Sequence, residues 1–95
     1  MQLATTHRQV TASNGIEVDE GICGLLEALW ARGMTTEFSC QGDDDKLAHI
    51  CFTRVAEARR FMQSHGDLFI TVGESRSWVD FPAYLITDLT RYWRI

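Results

Sequence analysis

Proline is nearly absent from this chain, with one in 95 residues. That excludes proline-rich linkers and extended polyproline segments. Lysine is as scarce: Lys46 is the single lysine among nine basic residues, so no polybasic stretch exists to coat a nucleic acid or an anionic membrane. No apolar run approaches the ~18–20 residues that a membrane-spanning helix needs. The opening MQLATTHRQV has no hydrophobic signal core, which sets the expectation of a cytoplasmic protein. Cys23, Cys40 and Cys51 are odd in number and contain no CxxC pair. A disulfide framework is therefore not expected, and all three are read as reduced. No internal repeat and no linker interrupts the chain.

What is present is ordinary for one globular domain spanning residues 1–95. The chain is 45% hydrophobic and 11% aromatic, enough for a core at this size but not for two. The net charge is −4, and most of the acidity lies in residues 1–46. Asp43, Asp44 and Asp45 form an acidic run there. It lacks the glycine and closing glutamate of a calcium loop, so it reads as a solvated turn able to steer a basic partner.

The periodicities set the architecture. His7–Ala12 reads as a strand. Asn14-Gly15 is a hairpin turn, since both residues tolerate positive φ. Ile16–Val18 returns as a strand or leads into a helix. Asp19 is a natural N-cap, and Ile22, Leu25, Leu26, Leu29 and Trp30 recur at helical spacing over residues 20–32 until Gly33 stops them. Asp19 and Glu20 place negative charge at that helix start and argue against a phosphate site there. Thr35–Gln41 and Leu47–Phe52 read as strands. Thr53 caps a second helix that ends before Gly66. Leu68–Val72 and Ser77–Phe81 read as strands, and Pro82 opens a last helix with Leu85, Ile86, Leu89, Tyr92 and Trp93 buried. The simplest packing is α+β: a ferredoxin-like, split βαββαβ two-layer sandwich with an extra C-terminal strand and helix.

In that arrangement Ala48, Ile50 and Phe52 face the helices. With Phe38 and Cys40 inward as well, the other sheet face carries Glu37, Ser39, Gln41, His49, Cys51, Phe69, Thr71, Trp78 and Asp80. This aromatic and polar face is the candidate binding surface. It can be covered by the last helix, by a second copy of the chain, or by a partner. Exposed aromatics on a sheet also stack bases, and Arg54, Arg59 and Arg60 would then supply the phosphate contacts. Cys40, His49 and Cys51 are a weaker alternative, as metal ligands or as the centre of a small enzyme. Their spacing matches no zinc ribbon and a fourth ligand is not evident. No catalytic residue and no cofactor is assigned.

The stretch LLEALWARGMTTEFSCQG, followed by LAHICF and a helix opening Arg54-Val55-Ala56-Glu57-Ala58, resembles small uncharacterised proteins encoded by phages of actinobacteria. Val18, Asp19, Glu20, Gly33, Ser39, Cys40 and Gln41 carry the resemblance, which covers about residues 16–62. It implies a phage accessory protein in the host cytoplasm that acts by binding a host protein, and it implies no reaction. A fainter similarity, to tRNA wybutosine-synthesis methyltransferases, is confined to Ser39, Cys40 and Gly42, and Asp43 stands where that family has arginine. The leading expectation is a non-enzymatic protein that binds a host protein or itself. A nucleic-acid or nucleotide-binding module is second, and a Cys/His enzyme is third.

Overall fold

The computed structural model describes residues 7–42, 47–65, 71–72 and 77–95. Two short strands open the chain, β1 (Gln9–Thr11) and β2 (Glu17–Asp19), paired antiparallel with Val10 opposite Val18. The turn falls where Asn14-Gly15 predicts one, but its central residues are Ser13 and Asn14, because the Gly15 N–H bonds the Ala12 carbonyl at 2.9 Å. Gly15 has φ +87°, the Asn14 Oδ1 accepts the Ile16 N–H at 3.1 Å, and the Ala12 N–H reaches the Ile16 carbonyl at 2.8 Å.

Helix α1 (Glu20–Ala31) follows directly. Ile22, Leu25, Leu26 and Leu29 are wholly buried, so the apolar stripe read from the sequence is the core face. Gly33, at φ +84°, ends the helix in a Schellman motif. Its N–H bonds the Trp30 carbonyl at 3.0 Å, and the Met34 N–H bonds the Leu29 carbonyl at 3.1 Å. Met34 then drops into the core.

The main sheet contains β3 (Thr36–Cys40), β4 (Leu47–Phe52), β5 (Thr71–Val72) and β6 (Trp78–Pro82), in the order β3-β4-β6-β5 with every pair antiparallel. Helix α2 (Val55–Met62) lies between β4 and β5 in sequence. A 3-10 turn (Ala83–Leu85) leads from β6 into α3 (Ile86–Arg94). The class is α+β as expected, but the strand order is not the ferredoxin-like one. That order would place the strand before α1 inside the main sheet. Here the Asn14-Gly15 hairpin satisfies β2 with β1 instead, and β6 sits beside β4. Val79 and Phe81 of β6 are fully buried, which suits an interior strand.

All three helices share one core with the sheet. Phe61 of α2 is its centre, with ring centroids 5.3 Å from Phe52, 5.5 Å from Phe81 and 6.3 Å from Trp93. Helix α3 packs on α1 and buries Leu89 and Trp93, while Tyr92 is half exposed. The last helix thus extends the helical layer rather than crossing the other sheet face. Pro82 closes β6 opposite Leu47 and is the N-cap of the 3-10 turn that runs into α3, so it stands immediately before the last helical segment rather than inside its first turn. Arg54, not Thr53, holds the N-cap position of α2, with no side-chain cap. Thr53 instead donates its N–H to the Thr35 carbonyl at 2.9 Å.

Candidate functional site

The open face of the sheet is built by a cross-strand ladder. Cys40 pairs with His49 and His49 with Asp80; Phe38 pairs with Cys51 and Cys51 with Trp78. Directly paired residues share a face, so these six side chains belong together. The ladder slips between Thr36 and Phe38, where Glu37 is the extra residue of a β-bulge. This bulge inverts the expected facing of β3. Phe38 and Cys40 lie on the open face, and Ser39 lies opposite Ile50 on the core side. Phe38 is 63% exposed.

Three rings form a short row on this face. His49 stacks on Trp78 with centroids 4.9 Å and planes 27° apart, and the Phe38 ring lies 6.3 Å from that of Trp78. The Trp78 indole N–H donates to Asp80 Oδ1 at 3.1 Å, which fixes the ring's orientation. The Cys51 thiol is 4.0 Å from Glu37 Oε1 and 3.8 Å from its neighbour's carbonyl oxygen, that of Phe52. Cys51 is 7% exposed.

The other sequence-derived candidates fall elsewhere. Gln41 turns away from the face: its Oε1 accepts the Gly21 N–H at 2.7 Å and so caps α1. Asp19 occupies the N-cap position without capping. Its carboxylate instead accepts the Gln9 Nε2–H at 3.2 Å and the Gln41 backbone N–H at 3.1 Å. Thr71 pairs with Asp80 in the backbone register. Phe69 and the Asp43–Asp45 run lie outside the described residues. Arg54, Arg59 and Arg60 belong to α2 and its cap. Arg60 lies 5.7 Å over the Trp93 ring and donates to the Arg32 carbonyl at 3.2 Å. That guanidinium therefore serves the helical layer, across the core from the ring row.

Among the described residues, Cys40, His49 and Cys51 do not converge as metal ligands. The three-residue group that does is His7, Asp19 and Cys40. Sequence spacing does not point to it, because its members sit on three different segments. Glu37 and Asp80 are the charged residues on β3, β4 and β6, and none of these strands carries Arg or Lys. Among the described residues no helix is long and apolar enough to cross a membrane. None of the family models, curated proteins or solved structures compared with the chain matches it.

Proposed function

We propose that this chain is a non-enzymatic binding protein whose open sheet face docks on a partner protein. The carrying observation is the ring row of Phe38, Trp78 and His49, exposed at Phe38 and flanked by Glu37 and Asp80. Aromatic anchors in a small patch are what protein interfaces concentrate their affinity in, and the two carboxylates favour a partner with basic side chains around an apolar centre. The similarity of the Ser39-Cys40-Gln41 strand end and its preceding helix to actinobacteriophage accessory proteins supports a host protein as that partner, in the host cytoplasm.

A nucleic-acid role fits less well. The strands carrying the rings bring carboxylates and no cations, and phosphate neutralisation is what supplies nucleic-acid affinity. Affinity capture from actinobacterial lysate, comparing wild type with a Phe38→Ala/Trp78→Ala double variant, tests the reading. A protein captured by the first and lost with the second is the expected result. Identical capture by both would overturn it. Salt-sensitive binding of single-stranded RNA or DNA would transfer the role to nucleic acid, and concentration-dependent dimerisation abolished by the same variant would make the partner a second copy.

A further inference from the structure

His7 precedes β1, Asp19 ends β2 and Cys40 ends β3, yet one potential ligand atom from each lies within 4.8 Å of the other two. The His7 Nδ1 is 3.3 Å from Asp19 Oδ2. Two ligands at ~2.0–2.1 Å on a tetrahedral zinc ion stand about 3.3 Å apart, and a thiolate at ~2.3 Å stands about 3.5 Å from either. The nitrogen and oxygen are already at ligand spacing, and the sulfur needs to move by little more than an ångström. The site is also sheltered, with the His7 and Asp19 side chains 16% and 9% exposed. Gln9 and the Gln41 backbone N–H hold the carboxylate in place, the kind of outer support that metal-bound carboxylates have.

From this geometry we infer that His7, Asp19 and Cys40 form a binding site for one divalent metal ion of the zinc class, held by imidazole nitrogen, carboxylate oxygen and thiolate sulfur, with water as the fourth ligand. The thiolate selects against magnesium and calcium, which take oxygen donors. On binding, the Cys40 thiol releases its proton to solvent and His7 coordinates as the neutral imidazole. The ion would tie the segment before β1 to the end of β3. A plain His7–Asp19 ion pair is the competing account, and it gives Cys40 no part.

Cobalt(II) separates the two. Chelator-treated full-length protein titrated with cobalt(II) is expected to bind one ion per chain. Binding should bring the visible absorption of a tetrahedral site and a thiolate-to-cobalt band in the near ultraviolet. Zinc should displace the cobalt, and a large excess of magnesium should not. Cys40→Ser should abolish the thiolate band, His7→Ala should weaken cobalt binding at least ~10-fold, and Cys23→Ser should leave both unchanged. Circular dichroism of each variant without metal verifies that it is folded. A folded wild type that gives no thiolate band, or a band that survives Cys40→Ser, overturns the assignment.

Discussion

His49 and Trp78 sit diagonally across β4 and β6 with their rings stacked at 4.9 Å. The stack pins a large aromatic on a surface where it would otherwise sample several rotamers. A pre-oriented ring loses less entropy on docking. Asp80 adds a second restraint through the indole N–H, so Trp78 is held from two sides before any partner arrives.

Phe38, by contrast, faces solvent, and its ring meets Trp78 in a tilted contact at 6.3 Å. Phe38→Ala is expected to change the unfolding free energy by less than ~0.5 kcal/mol in urea titrations. Trp78→Ala should weaken partner binding by ~2 kcal/mol, about 30-fold, in calorimetry. A Trp78→Ala protein that binds as tightly as wild type would count against the ring row as the contact.

Helix α1 borrows its cap from β3. Gln41→Ala removes the acceptor at the Gly21 N–H, and the expected loss is ~1 kcal/mol, the usual cost of a missing N-cap. Gln41→Glu keeps an acceptor near the positive end of the helix and should retain most of the stability. Thermal melts of the two variants side by side give the comparison.

Two glycines with positive φ make a graded pair. An added Cβ at Gly15 meets nothing within 4 Å, whereas one at Gly42 (φ +67°) would lie 2.6 Å from the Leu47 carbonyl oxygen. Gly15→Ala should cost about 1–2 kcal/mol from backbone conformation alone. Gly42→Ala should cost clearly more, because the backbone must also shift. Urea midpoints that rank the two the other way would contradict this.

The Cys23 thiol has a displaced titration. Burial pushes it above its ordinary value, and the Glu27 carboxylate one turn on adds to the effect. Its stabilising contribution is therefore complete below the unfolded thiol's pKa and is lost as pH rises through the folded one. Alkylation of Cys23, followed by mass spectrometry across an alkaline pH series, should lag that of the same cysteine in urea-unfolded protein. Glu27→Gln should move its onset to lower pH.

Local signals carried much of the fold. The stripe of α1, its Gly33 stop, the Asn14-Gly15 turn and the alternation of β4 all depend on neighbours within a few residues, and the structure has them where the sequence puts them. The strand order was not legible, because whether β2 joins the main sheet or folds back on β1 depends on competition between distant edges. Part of the candidate surface was visible: His49, Trp78 and Asp80 share the open face as alternation implies. Alternation alone puts Phe38 on the core side, because a bulge leaves no residue-level signature in Thr36-Glu37-Phe38, yet it shifts the period of everything after it. Asp19 looked like an N-cap because its type and position fit. The neighbouring Gln41, His7 and Gln9 are what redirect it, and they come from sequence separations that patterning does not reach.

Asp19 also sets an order of events. Its carboxylate is gripped from before it in the chain by His7 and Gln9 and from beyond it by the Gln41 backbone. The contacts to the earlier residues close small loops, while the contact to Gln41 spans the whole of α1 and β3, a slower closure. A buried carboxylate missing one of its donors is costly. Sealing the N-terminal hairpin against the body of the protein therefore waits for β3, and in pulsed hydrogen exchange the Gln41 amide should become protected after the amides of the β1–β2 hairpin.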